Sequence, residues 1–281
     1  DNWYKLGISY FNDKQYDKAI ESFSKAVELN PNDDNNWDGL ISSYQMNGQY
    51  DKAIEPSLKA VELNPNDDNS WSRLGLSYAV SGQYKKAIES FLKAIKIDPN
   101  SRDYWYKLGI SYHDNEQYKE AIDSLSKAVE LLNTEEEEED FWDTDSSADY
   151  RYWLGRSYYM NEQCQEAINY LSKAVELNPD DYFNWYFLGS SYLDLKDYDN
   201  AVYSFNQCIK IDPNNEVVRD ILQILQSSNG GVSLDGVVSG ISKGIDTLNE
   251  LSGKINPSTI GMVVGAAKLV GKFLGGSNKN K

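Results

Sequence analysis

Apolar side chains along residues 1–226 recur at i, i+3, i+4 and i+7, the spacing that puts one stripe on a helix of 3.6 residues per turn. The stripes come in pairs. Turn-forming residues separate the two stripes of a pair, as at Asn47-Gly48, and others close the pair, as at Asn64-Pro65. The pattern therefore predicts a run of short amphipathic helix hairpins. Their register is fixed: Trp3, Trp37, Trp71 and Trp105 are each 34 residues apart, and Trp185 lies 34 beyond Arg151. The step from 105 to 151 is 46, so 12 residues are inserted there.

Around each anchor the same residue types return. Trp3, Leu6, Gly7, Tyr10, Ala19, Phe23, Ala26 and Pro31 are matched by Trp71, Leu74, Gly75, Tyr78, Ala87, Phe91, Ala94 and Pro99. They are matched again by Trp185, Leu188, Gly189, Tyr192, Ala201, Phe205, Cys208 and Pro213. Gly7 and Ala19 are small where paired helices must approach closely, and Pro31 opens the next connection because it has no N–H to give a helix. This pattern resembles the tetratricopeptide repeat family over about residues 1–214, in six units. The resemblance implies an all-α fold, a right-handed superhelix (α-solenoid) of six helix-turn-helix repeats. The expected organisation is repeats one to four over 1–132, an acidic insertion loop over 133–149, and repeats five and six over 150–214. A capping helix follows over 215–228, then a Gly-rich, apolar helical tail over 229–281. Four positions depart from the family pattern: Ile41 for Gly, Ser57 for Phe, Asn133 for Pro and Arg151 for Trp. The fourth and fifth units are therefore expected to join less regularly.

Charge narrows the function. The formal net charge is -17 with a pI near 4.5, which repels phosphate backbones and argues against a nucleic-acid partner. Its distribution is uneven, because Lys243, Lys254, Lys268, Lys272, Lys279 and Lys281 outnumber Asp235, Asp246 and Glu250 in the tail. The tail is thus +3 and residues 1–226 are -20. His113 is the single histidine, no Gly-rich phosphate loop is present, and Cys164 and Cys208 lack metal-ligand spacing. Asp143, Asp145 and Ser147 match the start of a calcium loop, but Ala148 and Leu154 stand where Gly and Glu are needed. No catalytic residues, cofactor or metal are expected, and the chain reads as a non-enzyme.

The resemblance also implies that the first helices of the units line a concave groove. Its inward positions would be Tyr4 and Lys5, Asp38 and Gly39, Ser72 and Arg73, Tyr106 and Lys107, Tyr152 and Trp153, and Tyr186 and Phe187, with Arg156 beside them. Aromatic rings mixed with cations suit an acidic-aromatic or carboxylate-bearing peptide. One family use, clamping a terminal carboxylate, needs Lys and Asn where this chain has Tyr4 and Ile8.

In the tail, Leu234, Val238, Ile241, Ile245 and Leu248 recur at about 3.5-residue spacing, a narrow helical seam. Beyond Pro257, Val263, Val264, Leu269, Val270, Phe273 and Leu274 interleave with glycines that allow close helix contact. Ile260–Leu274 would span about 22 Å as a helix, short of a bilayer core of about 30 Å. The first repeat begins at Trp3 with no room for a cap, so its apolar flank invites cover. The expected function is a protein-protein interaction scaffold, used for structural self-assembly into a head-to-tail homo-oligomer or filament through the tail and the uncapped first repeat. One alternative is an adaptor holding a partner peptide in the groove. Another is a membrane-peripheral assembly factor attached by the tail helix. The chain opens at Asp1 without Met, as a fragment or a processed form would, and the compartment stays open between cytoplasmic and extracellular after leader removal.

Overall fold

The structure, a computed structural model, describes residues 2–135 and 144–227. The described residues form helices joined by short turns, with no strand. Two compact units divide the chain, one up to Asp140 and one from Phe141.

The first unit holds four helix pairs: α1 (Asn2–Asn12) with α2 (Tyr16–Leu29), α3 (Asp34–Met46) with α4 (Tyr50–Leu63), α5 (Asp68–Val80) with α6 (Tyr84–Ile97), and α7 (Arg102–Asp114) with α8 (Tyr118–Glu135). The second holds α9 (Thr144–Met160) with α10 (Cys164–Leu177), α11 (Tyr182–Asp194) with α12 (Tyr198–Ile211), and a closing helix α13 (Glu216–Ser227). Within each unit every helix packs on the next, and first helices also touch one another, α1 on α3 on α5 on α7 in the first unit and α9 on α11 in the second.

The pairs close over a small residue facing a large one sixteen positions later. A Cβ on Gly7 would meet the Phe23 ring at 2.8 Å, one on Gly75 the Phe91 ring at 2.8 Å, and one on Gly189 the Phe205 ring at 3.0 Å. Leu125 and Leu171 play the ring's part against Gly109 and Gly155, at 2.5 and 2.7 Å. All five large side chains are almost wholly buried. In the second pair the bulk is exchanged: Ile41 occupies the glycine position and Ser57 the phenylalanine position, both fully buried. Gly39, two residues before Ile41, then supplies clearance to the previous unit, since a Cβ there would lie 2.3 Å from the Phe23 ring.

Tryptophan sets the junction between pairs. The indole N–H of Trp37 donates to the Pro31 carbonyl at 2.8 Å, Trp71 to Pro65 at 3.0 Å, Trp105 to Pro99 at 2.9 Å and Trp185 to Pro179 at 2.7 Å. Each bond ties a first helix to the proline that ends the preceding second helix. Arg219, 34 residues after Trp185, donates to the Pro213 carbonyl in the same manner, so α13 stands in the place of a first helix. Arg151 has no proline six residues before it and instead donates to the Ser147 carbonyl at 3.0 Å.

Within each pair the turn passes through the left-handed region at Lys14, Gly48, Gly82, Glu116, Glu162 and Lys196, with φ between 57° and 72°. Only two of the six are glycine, the residue that adopts this conformation without strain.

The insertion, expected as a loop over 133–149, is helical at both edges. The chain lacks the usual proline at Asn133, so α8 runs on to Glu135 with Leu132 fully buried, and α9 starts at Thr144 with Ala148 packed inside. Residues 136–143 and the tail 229–281, with its candidate self-association residues from Leu234 to Leu274, lie outside the described residues.

Two predictions follow from this packing. Ser57→Phe alone overfills the site and Ile41→Gly alone empties it, each costing about 2–4 kcal/mol, while the double variant is less destabilised than their sum by about 1–3 kcal/mol in urea unfolding. Gly82→Ala loses about 1 kcal/mol to backbone strain alone, because nothing lies within 4 Å of its Cβ position, whereas Glu116→Gly gives no loss in the same assay.

Candidate protein-interaction surface

In each compact unit the first helices carry the positions expected to line a groove. In the first unit α1 and α3 leave a depression of about 220 Å³ between them, lined by Tyr4, Ile8, Phe11, Phe23, Asn35, Asp38, Gly39 and Ser42. Tyr4 is half-buried, edge-on to Phe23 with centroids 5.7 Å apart, and Lys5 is exposed beside it. Ile8, Phe11, Asn35 and Ser42 were not among the groove positions expected from the motif. They belong to neighbouring turns of the same two helix faces, so the i, i+4 spacing from Tyr4 and Asp38 was the available signal.

Arg73 does not stand free. It donates to the Asp38 carbonyl at 3.3 Å and to the Ser42 hydroxyl, while Gln45 donates to the Arg73 carbonyl and to Ser77, both at 3.0 Å. The side chain therefore stitches α5 to α3. Burial pushes the Asp38 carboxyl above its ordinary range; Arg73 opposes this, and Asp67 and Asp34 add to it. Further along, Tyr106 and Lys107 are half-buried, and the Lys107 ammonium lies 5.9 Å from the Tyr104 ring. Tyr104 donates to Asp68 at 2.6 Å, and burial, with that bond, holds its hydroxyl protonated far above the ordinary tyrosine range.

In the second unit the structure brings Tyr152, Trp153 and Arg156 together with Phe187. The Arg156 guanidinium lies 4.7 Å from the Trp153 ring, 5.2 Å from Phe187 and 6.0 Å from Tyr152. Tyr186 departs from its expected place on an open groove. It is 1% exposed, stacked on Tyr182 at 6.1 Å and edge-on to Phe205, because the α11–α12 packing takes its ring into the core. Cys208 is fully buried, and burial raises its thiol well above the ordinary range, which makes it a packing residue rather than a nucleophile. Among the described residues no group of three His, Cys, Asp or Glu side chains is placed to hold a metal ion, and no helix is long and apolar enough to cross a membrane.

The raised Asp38 pKa has a definite pH consequence. A carboxyl that ionises less readily folded than unfolded contributes stability below the unfolded value of 3.8, and that contribution is lost as pH rises through the folded value. Asp38→Asn is therefore expected to raise the melting temperature at pH 7, with the gain shrinking as pH falls toward 3.8. Thermal unfolding of both proteins across that range measures it.

Comparisons with known proteins agree with this architecture. The family model for anaphase-promoting complex, cyclosome, subunit 3 matches residues 46–128 and 141–208, more than half of the chain, and the tetratricopeptide repeat model matches 1–33. No curated protein matches the sequence. Among solved structures, the Cut9 and Hcn1 hetero-tetramer of the anaphase-promoting complex is similar with 21% identity and a TM-score of 0.60, over 79% of this chain. This chain spans only 42% of that protein. YrrB, described as a tetratricopeptide repeat protein with an unusual peptide-binding site, is 24% identical over 73% of this chain and all of its own, at a TM-score of 0.60. PilF of Pseudomonas aeruginosa is 16% identical over 81% of this chain and 96% of its own, at 0.61. With its matched repeats, its recurring tryptophan-to-proline bonds and its helix hairpins in constant register, the chain belongs to the tetratricopeptide repeat family.

Proposed function

We propose that this chain is a non-catalytic protein-interaction scaffold that self-associates, the C-terminal tail of one copy covering the first repeat of another. The observation that carries the reading is the apolar surface of α1. Trp3, Leu6 and Ile8 are 42%, 39% and 38% exposed. Large apolar side chains grouped on one helix are a surface that water penalises and a partner relieves. The tail supports the pairing through its sequence, an apolar seam from Leu234 to Leu248 and a second from Val263 to Leu274, on a segment whose charge of +3 is opposite in sign to the -20 of residues 1–226. Contact between opposite ends of one molecule is heterologous, and it propagates as a filament unless the rotation closes a ring.

Light scattering of the full chain beside residues 1–228 tests this. The full chain is expected to give a mass above one copy of 31.9 kDa that grows with concentration, and the shortened chain the mass of a single copy. Leu6→Glu with Ile8→Glu in the full chain should reproduce the truncation. A full chain that stays at one copy through 100 µM would end the proposal. The second reading, capture of a partner peptide on the row of first helices, is favoured by the surroundings of Arg156.

A further inference from the structure

Arg156 occupies a register at which the other five units carry Ile8, Ser42, Leu76, Ile110 and Ser190. The repeat folds around an aliphatic or small side chain there and has no architectural need of a guanidinium. Yet Arg156 is only 6% exposed. Its Nη1 donates one long bond of 3.4 Å to the Tyr152 hydroxyl, and its Nε has no acceptor. No carboxylate of the described residues pairs with it. The acidic groups that act on neighbouring Tyr152 are Asp149 and Asp181, and Asp181 already accepts from the Phe183 and Asn184 N–H groups at 2.7 and 3.1 Å. A guanidinium carries five N–H donors, and ring faces attract its charge without accepting along the plane of the fork. The cation is therefore held, oriented and left without a counter-charge among the described residues.

We propose that Arg156, walled by Tyr152, Trp153 and Phe187, is a receptor for a side-chain carboxylate of an acidic partner peptide. The planar fork matches a carboxylate in two parallel bonds, and the three rings offer apolar contact to the methylenes that carry it. A phosphate dianion would meet one cation and lose more hydration. Tyr152 and Trp153 are half-buried, so they form the wall nearest solvent, and the long Tyr152 bond is the one contact that entry breaks. The chain's own tail, at +3, is the wrong occupant, which separates this contact from the self-association proposed above. The inference rests on the scaffold reading but not on assembly.

The test uses the full chain labelled with ¹⁵N-arginine, in which Arg156→Met assigns the Arg156 Nε–H signal. The probe is an acetylated, amidated tetraglutamate peptide, with tetraglutamine and inorganic phosphate as controls. A saturable shift with tetraglutamate, absent with tetraglutamine and weaker with phosphate, is the expected result. Arg156→Lys should weaken binding by about ten-fold through loss of the fork. Arg156→Met should abolish it while melting at or above the parent temperature, since a methionine returns the register to an apolar side chain, as in three of the other five units. An unmoved signal at millimolar peptide, an equal response to tetraglutamine or phosphate, or a lower melting temperature for Arg156→Met would each overturn the receptor. Full-chain oligomers with an unmoved signal would remove the receptor alone, and a monomeric chain with a saturable shift would remove the assembly alone.

Discussion

The two helices of each pair must meet at one fixed separation, and everything else in the fold depends on it. Glycine on the first helix and a phenylalanine or leucine on the second satisfy that demand in five of the six pairs, with almost no room left for a methyl group. Interiors packed to this density cannot absorb a change on one helix without an answering change on the other. The Ile41 and Ser57 pair shows the answer, because the buried volume has moved from the second helix to the first while the hairpin persists. Constant separation within the pair then gives constant stride within each compact unit. The same tryptophan bond can therefore form at four junctions and be imitated by Arg219 at a fifth.

Register and hairpin were legible in the sequence because both are written in residue types that recur every 34 positions. The tryptophans, the small residues and the terminating prolines act locally, so each could be read without knowing its neighbours in space. Departures were legible only as departures. Nothing in the chain order says that Ile41 answers Ser57, or that Gly39 makes way for the Phe23 ring of the preceding unit. At the edges of the insertion charge marks solvent exposure but does not forbid helix, and without a proline at Asn133 α8 continues to Glu135.

The candidate surface was harder to read, because a groove position is defined by the angle between helices rather than by spacing along one. Tyr152 and Tyr186 hold the same place in consecutive units, yet one is half-buried against Arg156 and the other is sealed in the core by Tyr182 and Phe205. Rings decide between wall and core by what the next helix offers them. Arg73 shows the same divergence for cations, since it is spent joining α5 to α3, whereas Arg156 meets only rings and one distant hydroxyl.

Arrays of this kind tolerate such local costs because each unit is stabilised by its own packing and that of its immediate neighbours, so a penalty in one unit is not multiplied along the chain. The second unit carries several. Besides Arg156, the Tyr182 hydroxyl and the Asn184 side-chain carbonyl are buried without partners, and buried polar atoms left in this state each cost about 1–3 kcal/mol. Large rings offset that cost: Tyr159, Tyr186, Phe187 and Phe205 are all nearly fully buried there, each worth about 2 kcal/mol or more of apolar burial. An aromatic core is thus what allows this part of the array to hold a cation that no carboxylate of the described residues pairs with. The aliphatic or small side chains that hold this register in the other units would give the same fold more cheaply but would present no charge to a partner.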